Sequence, residues 1–304
     1  MNVDFPVTYI VHHLSNIRSM GMAAIRNANP ITRPSKLPPL PVHLDQKVGA
    51  ISESLVSSYV KWSGAAESRY ATELPPHFCS HWAMPMLANL GSLAPYNLLA
   101  LLNQGVRMEI HKPLQRGKPI KLSGSLMDVT KEPDRVRIHT QVRAHTDKGE
   151  LAMVIDSYST VPQGKPKKKS GDAKAKPQEE FTTVGTWGAE ENDGLNFAML
   201  TGDFNPIHTI PAVGKRTRFK SLILHGFGQL ARTWECVLNA GHTIGDLDVR
   251  WIKPLVMPSH NLQVQVGSQP DAQGWRALRL LAQDGSVHMV GRFHAQPQAK
   301  EQGA

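Results

Sequence analysis

Lys112-Pro113-Leu114 recurs as Lys253-Pro254-Leu255, 141 positions further along the chain. Two more pairs keep the same order: Ser63-Gly64 is matched by Thr201-Gly202 at an offset of 138, and Gly149-x-x-x-Met153-Val154 by Gly285-x-x-x-Met289-Val290 at 136. Three matches within so narrow a range of offsets mark a duplicated unit. Around the repeats lie segments with strand character, 105–112, 120–129, 134–146 and 150–161 in the first copy, then 246–253, 260–268, 275–283 and 286–295 in the second. Turn signals such as Arg116-Gly117 and Asp147-Lys148-Gly149 separate them. Val136, Ile138, Thr140 and Val142 alternate with polar residues, as one buried face of an antiparallel strand requires.

Helical patterns precede the strands in each copy. In the first they cover Ile51 to Trp62, Phe78 to Leu90 and about Ala94 to Leu102. In the second, a strand over Phe181 to Trp187 leads to a helix over Glu190 to Leu200. A further helix from Gly226 to about Asn239 carries Phe227, Leu230, Ala231, Trp234 and Leu238 on one stripe. Helices followed by antiparallel strands, twice over, specify an α+β fold with a helix on one sheet face of each unit. The expected divisions are an N-terminal extension (1–46) with a helix over Val7 to Ile25 and real order beginning near Lys47, a first domain (47–161), a linker (162–180), a second domain (181–297) and a tail (298–304).

Composition narrows the class of protein. A length of 304 residues suits two domains of about 150 each. With 40% hydrophobic and 19% charged residues and no run of 18 apolar positions, the chain reads as globular, without a membrane span. Asp4 and His12-His13 break up the N-terminal apolar stretch, unlike a secretory signal. Cys79 and Cys236 are the only cysteines, so no disulfide framework is expected and a reducing cytoplasm fits. The net charge of +9 raises nucleic acid as a partner, but six lysines (165, 167, 168, 169, 174, 176) sit between Pro162 and Glu180 beside Pro166 and Pro177. That is the composition of a solvated linker, and no nucleic-acid site is expected.

The chemistry concentrates in Thr201-Gly202-Asp203-Phe204-Asn205-Pro206-Ile207-His208. Such a stretch is also ordinary turn punctuation. At the offset of 138, however, Asp203 and His208 correspond to Ala65 and Tyr70, so the first copy lacks both titratable groups. Downstream, Leu224-His225-Gly226 opens the apolar helix, where the first-turn N–H groups have no helical acceptor and glycine lets a ligand approach closely. A carboxylate, an imidazole and a backbone donor, with no Gly-x-Ser-x-Gly elbow, P-loop or Gly-x-Gly-x-x-Gly and with Cys236 assigned to the core, fit proton transfer beside a carbonyl through an enolate. A metal site of Asp203, His208 and His225 is a second reading of the same residues.

The eight-residue stretch followed by Leu224-His225-Gly226 resembles the hydratase motif of the MaoC-like (R)-specific enoyl-CoA hydratases and 3-hydroxyacyl-thioester dehydratases. The whole chain resembles their double hot-dog members, in which the N-terminal copy has lost its catalytic loop. The resemblance implies a long helix inside a curved antiparallel sheet in each half. It implies that Asp203 and His208 activate water for syn hydration of a trans-2-enoyl thioester, that Asn205 aligns them, and that the Gly226 N–H stabilises the thioester oxyanion. No cofactor or metal is implied beyond the carrier of the substrate, coenzyme A or acyl carrier protein, and the pathway would be fatty-acid metabolism. Ile210-Pro211 departs from the family's pattern, which often has an acidic or Asn residue two places after the His. Lys215, Arg216, Arg218 and Lys220 are a solvated loop face or an anchor for carrier phosphates, with His225 beside them as a candidate substrate contact. A thioesterase and a non-catalytic acyl-thioester-binding protein remain alternatives, and the duplication suits either a homodimer or a self-sufficient monomer.

Overall fold

In a computed structural model, which describes residues 4–29, 31–97, 100–163 and 180–295, one antiparallel sheet of ten strands runs through the molecule. The first half contributes β1 (Val42–Val48), β2 (Leu102–Ile110), β3 (Ile120–Lys131), β4 (Arg135–His145) and β5 (Leu151–Pro162). The second contributes β6 (Phe181–Ala189), β8 (Asp246–Trp251), β10 (Ser259–Gly267), β11 (Trp275–Leu281) and β12 (Val287–His294). The order β1-β3-β4-β5-β2-β8-β12-β11-β10-β6 is the same five-strand pattern read outward from a central β2–β8 pair, in which Val106 faces Val249 and Met108 faces Leu247. The duplication read from the tripeptides is thus a structural one. Gly149 and Gly285 close equivalent hairpins at φ 85° and 78°, and Val136, Ile138, Thr140 and Val142 form the buried face of β4.

Each half lays helices on the sheet. The first has α3 (Glu53–Ser63), α4 (Cys79–Trp82) and α5 (Met84–Gly91). The second has α6 (Asp193–Thr201), the short α7 (Pro206–Thr209) and α8 (Pro211–Arg216), and α9 (Gly226–Asn239). The helices come close enough that a Cβ on Gly124 of β3 would sit 2.8 Å from Met86 Cγ, and one on Gly185 of β6 would sit 2.9 Å from Cys236 Cβ. Helix α9 begins at the expected residue and buries Phe227, Leu230, Ala231, Trp234 and Val237, while Leu238 is only partly covered. A separate two-stranded ladder, β7 (Ile223–Leu224) with β9 (Leu255–Val256), joins the approach to α9 to the second tripeptide.

Three expectations need correction. The stretch from Phe78 to Leu90 is two helices, because Pro85 has no N–H to donate to the His81 carbonyl and starts a new helix instead. The freed His81 carbonyl accepts from Asn16 Nδ2 at 3.0 Å. No α-helix forms over 94–97, where Pro95 disfavours helical backbone before it; residues 98 and 99 lie outside the described residues, Ala100 is in a 3-10 turn, and strand β2 begins at Leu102. Order also starts well before Lys47. Strand β1 opens at Val42 and pairs with β3, and α1 (Tyr9–His12) and α2 (Leu14–Ala28) form a strap bonded to both halves. Asp4 Oδ2 accepts from Asn196 Nδ2 at 2.6 Å, Tyr9 donates to the Ser54 carbonyl at 3.2 Å, and Asn27 donates to the Ser92 carbonyl at 3.1 Å. The lysine-rich linker and the C-terminal tail lie outside the described residues, apart from the linker's edges. No helix of the described residues is long and apolar enough to cross a membrane.

Candidate active site

Helix α6 delivers the candidate loop. It ends at Gly202, whose φ of 86° is open to glycine at little cost, as Gly64 (81°) ends α3 in the first half. The backbone then turns at Asn205, whose Oδ1 accepts from the Ile207 N–H at 3.3 Å and whose own N–H donates to Asp203 Oδ1 at 3.3 Å. Pro206 follows at the first position of α7, where its missing N–H costs nothing. One turn later the His208 N–H donates to the Asn205 carbonyl at 3.0 Å. Asn205 therefore acts on the loop itself, linking Asp203 to the turn that carries His208.

His208 is fixed from a second direction. Its Nδ1 lies 2.7 Å from the carbonyl of Ile223 in β7, which can only accept, so Nδ1 carries the proton and Nε2 presents a lone pair. His225, directly after β7, is buried, and its Nε2 donates to the Asp203 carbonyl at 2.9 Å. Its ring centroid lies 3.7 Å from that of His208. His225 thus props the loop from beneath and does not face an open surface, contrary to its expected part as a substrate contact. Among the described residues, no group of three or more His, Cys, Asp or Glu side chains is arranged to hold a metal ion.

Burial favours the neutral form of both groups. It raises the Asp203 carboxyl above its ordinary range, against the pull of His208 and the Asn205 amide. It lowers the His208 imidazole, against Asp203 and the Ile223 carbonyl. Burial, helped by the neighbouring His208, pushes His225 well down. The histidines are therefore biased to the neutral form, and Asp203 toward holding a proton nearer neutrality than a free carboxylate would. About 20% of the Asp203 side chain remains exposed, which leaves it open to a small reactant.

Gly226 is the first residue of α9, with its N–H at the positive end of the helix. Trp251 of β8 lies against it: the indole Nε1 donates to the Gly226 carbonyl at 3.0 Å, and a Cβ on Gly226 would fall 2.6 Å from Trp251 Cε2. A second glycine, Gly194 in α6, meets the back of the loop, where a Cβ would collide with the His208 carbonyl oxygen. Neither Trp251 nor Gly194 was singled out from sequence, and nothing local marks them, because their partners are 14 to 25 positions away. Lys215, Arg216, Arg218 and Lys220 are all exposed, on α8 and the turn after it. Ile210, where the family pattern is broken, is 45% exposed and leads into α8.

The first copy shows what becomes of the site without its chemistry. Tyr70, the counterpart of His208, is buried and donates to Glu235 Oε1 of α9 at 2.7 Å. His77 Nε2 lies 2.8 Å from the same oxygen, and Arg69 pairs with Oε2. Burial raises Glu235, but these partners outweigh it and hold the carboxyl below its usual range. The Glu73–Gln115 bridge and the Leu74-to-Leu114 hydrogen bond stand where β7 pairs with β9 in the second half. Pro75-Pro76 therefore occupies the place of His225-Gly226. Proline has no N–H. The first copy lacks counterparts of the Asp203 carboxyl, the His208 imidazole and the Gly226 N–H together.

Comparison with known proteins agrees with the architecture. Residues 168–278 match the family described as MaoC like domain. The structure resembles HtdX of Mycobacterium tuberculosis, with a TM-score of 0.68 at 16% identity over 84% of this chain and 100% of that one. It also resembles the full-length peroxisomal multifunctional enzyme type 2 of Drosophila melanogaster, with a TM-score of 0.65 at 17% identity over 84% of this chain and 48% of that one. A further Mycobacterium tuberculosis protein, described as having a double hotdog fold, matches with a TM-score of 0.55 at 12% identity over 83% of this chain and 94% of that one. No curated protein sequence matches. The fold is a double hot-dog. The similarity to the MaoC like domain lies in the second half, and Asp203 to His208 and Gly226 all fall within the matched residues.

Proposed function

We propose that the protein catalyses reversible hydration of trans-2-enoyl thioesters to (R)-3-hydroxyacyl thioesters. The observation that carries this reading is a neutral-biased imidazole and a carboxyl biased toward protonation on one loop, which is held by His225, the residue directly before a helix-terminal N–H. In the hydration direction, His208 Nε2 takes a proton from water as its oxygen bonds to Cβ. Electrons move onto the thioester oxygen, which the Gly226 N–H stabilises, and Asp203 delivers a proton to Cα on the same face. Proton return from His208 to Asp203 resets the pair. An imidazole held neutral can accept a proton, and a carboxyl held toward its protonated form can give one, so the same burial equips both partners.

The cysteines give little support to a covalent route. Burial raises the Cys236 thiol to about 11 and the Cys79 thiol higher still, so neither is a ready nucleophile. The carrier is coenzyme A or an acyl carrier protein, with Lys215, Arg216, Arg218 and Lys220 as the surface that meets its phosphates or acidic face. The test is an assay of purified protein on enoyl-CoA and enoyl-carrier substrates of graded chain length. It follows loss of the conjugated enoyl absorbance and the configuration of the product. Formation of the (R)-3-hydroxyacyl thioester is the expected result. Release of free thiol without hydration assigns a thioesterase instead, and binding without turnover assigns a carrier.

A further inference from the structure

The N-terminal strap has two faces of different character. Its inner face carries buried His13 and Asn27 and the partly covered Ile17 and Met20, which hold it to both halves of the molecule. On the opposite side of α2, Leu14, Met22 and Ile25 are between 57% and 73% exposed, with exposed Arg18 among them. Helical spacing places these four within an arc of about 80°. The stripe continues at both ends, through Val11 at 66% and Ile31 at 90% exposure. A scatter of lone exposed apolar residues needs no explanation, but a continuous stripe along a 15-residue helix does.

Charge identifies what the stripe meets. From Phe5 to Leu44 the sequence has Arg18, Arg26, Arg33 and Lys36 and no Asp or Glu. A two-fold contact with a second copy of the chain would set this cationic segment against itself. An anionic lipid surface complements it, since apolar side chains enter the acyl boundary while arginine and lysine stay at the headgroups. We propose that the outer face of α2 docks the protein on an anionic bilayer, lying in the plane of the surface while the inner face keeps its hold on the folded domains. Docking of this kind is peripheral and independent of whether the site hydrates enoyl thioesters.

The experiment is flotation of the full-length protein with vesicles of phosphatidylglycerol and phosphatidylcholine in equal parts, and with vesicles of phosphatidylcholine alone. The wild type is expected to float with the anionic vesicles only, and to be released by high salt. The triple variant Leu14→Ser, Met22→Ser, Ile25→Ser should reduce the bound fraction about tenfold or more, and Arg18→Glu should weaken binding with no apolar change. Unchanged thermal melting of both variants shows that the inner face still holds. The proposal is overturned if the wild type ignores anionic vesicles or if the folded variants float as well as it does. It is equally overturned if sedimentation equilibrium finds a wild-type dimer that the triple variant dissolves.

Discussion

Replacing Gly226 with alanine is the sharpest way to disturb a backbone donor that no side-chain deletion can remove. The added Cβ would lie 2.6 Å from Trp251 Cε2 and 2.9 Å from Nε1, roughly 0.9 Å inside the ~3.5 Å optimum for carbon contacts. The indole cannot simply swing away, because Nε1 also donates to the Gly226 carbonyl at 3.0 Å. The first turn of α9 must therefore share the displacement, and the 226 N–H moves with it. Overpacking of this kind costs about 1–3 kcal/mol of stability. A misplacement approaching 1 Å at the reacting centre costs about 10²-fold in rate, comparable to losing one oxyanion donor at ~10²–10³. The expected result is a kcat for enoyl-thioester hydration about 100-fold below wild type with KM little changed, since the donor acts on charge that develops in the transition state. Adding Trp251→Leu gives the methyl group room and should recover about tenfold or more of the lost rate. A Gly226→Ala enzyme that keeps near-wild-type kcat refutes the donor assignment, and failure of the double variant to recover refutes the steric reasoning.

Other outcomes follow from the same geometry. His13 Nε2 lies 2.7 Å from the Met199 carbonyl in the last turn of α6, and a Cβ on Gly202 would meet the His13 ring at 3.2 Å. His13→Ala should cost about 1–3 kcal/mol in chemical denaturation and lower kcat more than it raises KM; unchanged kcat would mean that the strap stabilises the fold without aligning the loop. Tyr70→Phe removes one donor to buried Glu235 and should cost about 1–3 kcal/mol by the same denaturation measurement while leaving kcat intact, because the first copy is structural. Burial lowers His13, His81 (to about 3), His208 and His225. The unfolded chain therefore takes up protons near pH 6.5 that the folded chain refuses, so stability is full above that pH and falls as the solution is acidified. His81 alone accounts for roughly 2 kcal/mol of loss at pH 5, which denaturation at pH 7.5 and pH 5 measures. The acid limb of kcat/KM should likewise lie below the ordinary histidine range, because His208 must be neutral to accept the water's proton.

The parts of this chain that were legible in sequence are those fixed by local pattern. Helix α9 was bounded at Gly226 because a glycine, an apolar stripe and the preceding His make a local signature, and the strands were bounded by turn glycines such as Gly149 and Gly285. The Asp203–His208 loop was readable because Asn205-Pro206 fixes its turn through bonds spanning two or three residues. What escaped was set at long range. The expected helix ran through Pro85, where the chain breaks it, and nothing in sequence tied the freed His81 carbonyl to Asn16, 65 residues away. A helix over Val7 to Ile25 was readable, but not its attachment as a strap, because its inner contacts, such as His13 with Met199 across 186 positions, belong to the folded whole. His225 was assigned to substrate because the sequence places it beside the loop without saying on which side.

The central claim is that Asp203 and His208 form the acid/base pair of a hydratase. The most direct test measures the hydration rate of a trans-2-enoyl thioester by wild type, Asp203→Asn and His208→Ala, with folding of each checked by thermal melting. An active wild type and folded variants slower by about 10²–10⁴-fold in kcat are the predicted result. An active wild type whose two variants both stay near its rate would contradict the assignment.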